Sequence, residues 1–235
     1  MNTASPEVTV IFAGALIITA SLLFSLSKKE KSESLRLILF LGITAPAIFI
    51  TLFLAISTIV ANSKSATHGP VHWHADMLIY DCGKEVTLRD PSGLSNRLGT
   101  TLLHSHGDKR IHVEGTIKSL SDISLTNFFE TVGGAMTHNT LTLPINSGLL
   151  TLQTGMKCEG QNRQAKLQVF LYKTLENNII KQIKLDDFPN YVMSAFSTIP
   201  PGDCLVIEFD QNKNQTDHIC NFYQIAIQKG EYRLQ

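Results

Sequence analysis

Eight histidines occur in 235 residues, yet five of them fall between Val71 and Glu114. They stand in three short stretches: His72-Trp73-His74-Ala75-Asp76, Leu103-His104-Ser105-His106, and Ile111-His112-Val113-Glu114. Alternate residues of a β-strand share a face. His72, His74 and Asp76 therefore line one face of one strand, and His104 and His106 one face of another. Imidazole suits zinc and copper, and a site for either needs three or four donors at about 2 Å. The candidate ligands are His72, His74, His104, His106 and His112. Asp76 and Glu114 are further ligands, or partners that orient an imidazole. Asp76 has a third reading, as a general base beside a metal-bound water. The rival to a metal site is a polar strand face whose histidines are solvated or bonded to backbone.

The other three histidines read differently. His68 lies in a polar linker and is expected to be solvated. His138 sits in a loop, where it is either a bystander or a further member of the site. His218, near a helix start, is expected to be structural. Trp73 points away from its flanking histidines, toward the core or a membrane interface.

The facing of these strands depends on register. Thr101 to His106 and Ile111 to Lys118 read as a hairpin around Gly107-Asp108-Lys109-Arg110. Pairing His106 with His112 gathers the polar groups on one face, with Glu114 opposite His104 and with Ile111 and Val113 on the other face. A one-residue slip would turn His112 away.

Two apolar runs precede this region. Val8 to Leu26 carries no charge, and Leu35 to Val60 is interrupted only by Arg36. Each is long enough to span a bilayer as a helix. Hydroxyls within them can bond to the preceding turn, and Pro46 is expected to kink the second. A cleaved signal peptide would need basic residues before the first run, and Lys28, Lys29 and Lys31 instead follow it. A pair of buried helices in a soluble protein is the other alternative, but neither run has a polar face. Basic residues stay on the cytoplasmic side, so the loop holding Lys28, Lys29, Lys31 and Arg36 is expected inside. Both termini and the C-terminal domain are then outside the cytoplasm. Residues 61–70 form a short tether.

The cysteines, Cys82, Cys158, Cys204 and Cys220, all follow the apolar runs, and none makes a Cys-x-x-Cys pair. An even number fits disulfides in an oxidising compartment. Three complete pairings are open, and Cys204–Cys220 with Cys82–Cys158 is the preferred one. A zero formal net charge without a basic run argues against a nucleic-acid partner.

Residues 71–235 are expected to form an α+β domain, mainly antiparallel strands with a few short helices. Two halves are conceivable, a His-rich one over 71–145 and a Cys-containing one over 150–235. Strands are expected at Val71–Tyr80, Glu85–Leu88, Thr140–Leu143, Lys166–Lys173, Ile179–Ile183 and Cys204–Phe209. A helix is expected at Ser124–Gly134, capped by Thr126 or Asn127, and another over Asp217–Lys229 with Cys220 on it. Pro200-Pro201-Gly202-Asp203 reads as a turn.

The stretch from Leu102 to Gly115 shares His-x-His with cupins. It lacks their following Glu, having Arg110 and Ile111 there, and no second cupin motif follows. No Ser-His-Asp elbow, Walker loop, dinucleotide fingerprint or His-Glu-x-x-His helix is present. The combination His-x-His-Ala-Asp, Leu-His-x-His and Ile-His-Val-Glu-Gly resembles uncharacterised prokaryotic membrane-anchored proteins with an outer domain. That resemblance runs from Val71 to Phe129 and implies no activity.

The sequence thus points to a membrane-anchored, extracytoplasmic protein that binds zinc or copper, in metal handling or as a subunit of a membrane complex. Its partners would be the lipid bilayer, a metal ion and a membrane protein. A metal-dependent enzyme such as a hydrolase is the second reading. A disulfide-stabilised interaction module with incidental histidines is the third.

Overall fold

The computed structural model of the chain describes residues 5–27, 30–158, 162–193 and 202–235. Lys28, Lys29 and the Pro200-Pro201 part of the expected turn lie outside them. Two units are present, Met1–Lys64 and Ser65–Gln235.

The first unit is a pair of helices, α1 (Pro6–Ser27) and α2 (Glu33–Lys64). At about 1.5 Å per residue, 22 and 32 residues give roughly 33 and 48 Å, against a hydrocarbon core of about 30 Å. Both are long and apolar enough to cross a membrane. Leu16, Phe40, Phe49 and Ile59 expose apolar side chains. The hydroxyls of Thr44, Thr51 and Thr58 donate to carbonyls one turn back, at 2.9, 2.9 and 2.8 Å, which satisfies them without water. α2 runs through Pro46 as one helix and continues past Val60 to Lys64. The tether expected at 61–70 therefore shortens to 65–69. Ala66 N–H donates to the Ile117 carbonyl at 2.8 Å, which fixes that short stretch within the second unit.

The second unit is built on β1 (Pro70–Asp81), followed by β2 (Lys84–Glu85), β3 (Leu98–Gly99), β4 (Leu103–Ser105) and β5 (Arg110–Thr116). Next come α3 (Leu125–Thr131), β6 (Ala135–Met136), β7 (Thr140–Ile145) and β8 (Gly148–Gln153). The chain closes with β9 (Lys166–Thr174), β10 (Ile179–Leu185), β11 (Cys204–Asp210), α4 (Asn221–Gln228) and β12 (Arg233–Leu234). Among the described residues one sheet runs β12-β10-β9-β11-β1-β5-β4-β3, with β2 paired to the end of β1. A second sheet runs β6-β7-β8.

Most pairings are antiparallel, as expected, but the sheet is mixed. β1 and β11 are parallel, with Asp76 opposite Cys204 and Asp81 opposite Phe209. This pairing carries the sheet through both stretches that the sequence suggested as halves. The β1–β2 hairpin turns on Cys82 and Gly83, with φ of 50° and 84°. Positive φ at both central residues is the two-residue turn that matches strand twist.

The alternation in β1 and β5 decides which face is buried. Ala75, Met77, Ile79, Ile111 and Val113 enter one core with Phe128 and Phe129 of α3 and Leu141 and Leu143 of β7. Trp73 packs against that core, on the face away from the histidines. The opposite face of β9 and β11 is covered through Tyr223 of α4, which meets Phe170, Tyr172 and Val206. The histidines stand on this same face of the sheet, toward the start of β1, beyond Leu78 and Tyr80.

Two helix ends differ from expectation. Ser124 caps α3, its hydroxyl accepting from Asn127 N–H at 3.3 Å, in place of Thr126 or Asn127. Cys220 precedes α4 at its N-cap, and His218 lies before the helix altogether. The Cys82–Cys158 and Cys204–Cys220 disulfides both form. The second ties the start of β11 to the start of α4, closing a separation of 16 residues. Loop-closure entropy for such a loop is worth about 3 kcal/mol. A Cys204→Ala/Cys220→Ala variant should lose about that much stability, read as a lower urea midpoint.

Candidate metal centre

The histidine band is a product of register. His74 stands opposite His112, and His104 stands opposite His112 from the other side. Three imidazoles therefore lie in one row across β1, β5 and β4. One step along, His72 faces Glu114, and one step the other way Asp76 faces Arg110. The β4–β5 pairing is shifted by two residues from the expected one, since His104 and not His106 meets His112. A shift of two preserves the side-chain period, so the histidines still share a face. On the β4 side Glu114 N–H consequently meets the Leu102 carbonyl at 3.0 Å rather than lying opposite His104, while on the β1 side it stands opposite His72.

Ring contacts run through the whole band. His72 and His74 centroids lie 4.7 Å apart, His74 and His112 4.6 Å, His106 and His112 4.7 Å, and His104 and His106 4.8 Å. His104 stacks on His112 at 5.3 Å with planes 12° apart. Two groups of potential ligand atoms result, His72-His74-His112 and His104-His106-His112, with atoms within 4.8 Å of one another in each. A metal ion with bonds near 2 Å needs donor atoms no farther apart than about 4 Å, so only small side-chain motions separate these groups from ligation.

Hydrogen bonds fix where several ring protons sit. His106 Nδ1 donates to the Asn96 carbonyl at 2.6 Å, which leaves Nε2 with its lone pair. His112 Nε2 bonds to Asp108 Oδ2 at 2.9 Å, so Nδ1 is the nitrogen through which the neutral ring would ligate a metal. His112 Nδ1 and His104 Nδ1 are buried without a hydrogen-bond partner. His72 Nε2 lies 3.1 Å from His74 Nε2 and 3.0 Å from Glu114 Oε1. The two imidazoles and the carboxylate converge where a metal ion could replace a proton.

Burial pushes the His74 imidazole below its ordinary value of 6.5, and the neighbouring His112 and His72 push it further. Burial also lowers His104, against the opposing pull of Glu114. Both rings are therefore neutral near pH 7, the form that binds metal. Burial raises the Asp108 carboxyl, but the hydrogen bond and charge of His112 and the backbone bonds outweigh it, so it sits below the usual carboxylate range.

Asp76 lies beside the histidine groups. Its Oδ1 accepts from Arg110 Nε at 2.7 Å, and it belongs to neither ligand group. Burial raises its carboxyl, with Arg110 opposing that rise. The Arg110 guanidinium in turn lies 4.1 Å over the Phe222 ring of α4. The pair closes the lower end of the band. His68 is exposed, His138 pairs with Asp187 at 3.0 Å, and His218 stacks on Tyr80 at 3.6 Å. None of the three joins either group.

Sequence reasoning left three contributors out: Asp108, Arg110 and the Asn96 carbonyl. Asp108 had a signal, because a carboxylate in a hairpin turn four residues before a strand histidine can fold back on it. The Asn96 carbonyl had none, since backbone contacts between distant loops leave no trace in residue type.

No protein-family model, curated protein or solved structure matches this chain. The functional reading therefore rests on the site itself.

Proposed function

We propose that this protein is anchored in a membrane by α1 and α2 and presents residues 65–235 outside the cytoplasm as a zinc- or copper-binding domain. The observation that carries the metal reading is the shared row of His74, His112 and His104, flanked by His72 and His106. Its two innermost rings each bury a nitrogen without a partner. A buried polar atom without a partner is costly, and a cation removes that cost. The anchoring reading rests on the length of the two apolar helices and on the two disulfides, which belong to an oxidising compartment. It is tested by adding protease to intact cells. Cleavage within 65–235 supports an outer domain, and protection until lysis contradicts it.

Metal handling fits better than hydrolysis. A metal-dependent hydrolase needs a carboxylate free to take a proton from water. Here Asp76 is held by Arg110 and Asp108 by His112, and Glu114 sits against the His72 imidazole, where it would serve as a further donor. A role in delivering or storing the ion, alone or within a membrane complex, asks only for the donors.

Binding to the folded state alone stabilises it by about 2.7 kcal/mol when free metal is a hundredfold above Kd. Zinc should raise the unfolding midpoint of the full-length protein in detergent, and a chelator should reverse the rise. A His72→Ala/His74→Ala/His104→Ala/His106→Ala variant should show no such shift. The rise should shrink as pH falls below 6.5, because protons then compete for the imidazoles. The metal-free protein should weaken over the same range. With folded values of His74 and His104 below 6.5, the unfolded chain takes up protons first as pH falls, until the folded values are passed.

A further inference from the structure

We infer that the band holds two metal ions side by side, one on His72 and His74 and the other on His104 and His106, with His112 and Glu114 between them. This rests on the metal-binding reading and extends it. The first support is the number of donors. Zinc in a protein takes four ligands, and catalytic or exchangeable sites keep three protein ligands and an open position. Five imidazoles and a carboxylate are too many for one such ion; two ions would each take a histidine pair and share the Glu114 carboxylate, with His112 placed to complete either one. The second support is their grouping. The β1 histidines cluster with His112 and the β4 histidines cluster with His112, so His112 is the member common to both groups. The third support is Glu114. Its Oε1 lies 3.0 Å from His72 Nε2 in one group and 3.9 Å from His104 Nε2 in the other. A carboxylate oxygen placed between two donor sets is the usual bridge in two-metal centres, where ions sit about 3.5–4 Å apart.

The ion without His112 keeps an open position for an exchangeable ligand, which is what a protein that receives and passes on metal requires. The first ion to bind places a positive charge beside the other histidine pair. The second ion then meets a positively charged neighbour, so its affinity should be lower.

The test is zinc stoichiometry of the full-length protein in detergent. Metal is stripped with a chelator, reloaded as zinc chloride and measured by elemental mass spectrometry. Wild type should hold two ions per chain. His72→Ala, at a side chain 63 % exposed and so safe for the fold, should hold one, as should His106→Ala. The double variant should hold none. Copper(II) offers a second readout. At two equivalents the paramagnetic resonance spectrum should show dipolar broadening and a half-field line that are absent in either single variant. One ion in wild type, lost in both single variants, would overturn the two-ion centre and leave a single site. No ion in wild type would overturn metal binding itself.

Discussion

Replacing His112 by phenylalanine should abolish tight zinc binding while leaving the fold in place. His112 is the centre of the row, paired with His74 on β1 and His104 on β4, and it belongs to both groups of ligand atoms. Its side chain is 9 % exposed and stacks on His104, so alanine would open a hole between three strands. Phenylalanine keeps the ring and the stacking and removes both nitrogens. Loss of an outer partner of a metal ligand typically costs about 10–100-fold in affinity. Asp108→Asn, which weakens only the orientation of His112, should fall in that range. His112→Phe should exceed it, because it deletes a donor common to both ends of the band. Competition against a chromophoric chelator measures both. Zinc affinity in His112→Phe within tenfold of wild type would remove His112 from the centre.

Gly202→Ala should be among the most damaging single substitutions in the chain, although Gly202 touches no ligand. Its φ is +80°, a region that costs other residues about 1–2 kcal/mol. A Cβ there would also fall on the backbone carbonyl oxygen of His74. That oxygen belongs to the middle strand of the sheet and cannot rotate aside as a side chain can. The segment entering β11 packs directly on β1 at this point, where Asp76 N–H donates to the Asp203 carbonyl at 2.8 Å. The Gly202 carbonyl accepts from the buried Tyr223 hydroxyl at 2.9 Å. An alanine must push the segment away, and with it the parallel β1–β11 pairing, the Tyr223 bond and the placement of His74. The expected loss exceeds about 4 kcal/mol, a size reserved for few substitutions. Urea unfolding of the full chain in detergent is the measurement. A loss under about 1 kcal/mol would mean that this contact does not hold β1.

Much of the site was legible because a strand's period is fixed. His72 and His74, then His104 and His106, had to share faces within their strands whatever the pairing. The β4–β5 register came out two residues from the expected one and still left every histidine on the same side, since only an odd shift reverses a strand. What a local pattern could not supply was the neighbour across the sheet. Asp76 reads as a ligand or an orienting partner from its spacing to His74, and the Arg110 that stands opposite it and pairs with its carboxylate comes from the neighbouring strand. Nothing near Asp76 in the sequence announces that.

The same limit explains the fold. Long periodic segments such as Lys166 to Lys173 and Ile179 to Ile183 were readable as strands. The parallel union of β1 with β11 joins residues about 130 positions apart and has no local signature. Two-residue strands such as β3, β6 and β12 are too short for a period to show. β8, Gly148–Gln153, carries an unbroken apolar pair at Leu149-Leu150 that hides its alternation. The Ser124 cap was missed for a different reason: Thr126 and Asn127 are also capping residues, and only the start of the helix chooses among them.

The metal content of the full-length protein decides whether the histidine band is a metal site. The protein would be purified in detergent without added chelator, dialysed, and measured by elemental mass spectrometry beside the His72→Ala/His74→Ala/His104→Ala/His106→Ala variant. Circular dichroism and intact disulfides would show that both are folded. At least one zinc or copper ion per wild-type chain and none in the variant is the expected result. Folded wild-type protein that holds no metal, even after reloading with zinc and copper, would contradict it and leave the histidines as an ordinary polar face of an anchored, disulfide-linked domain.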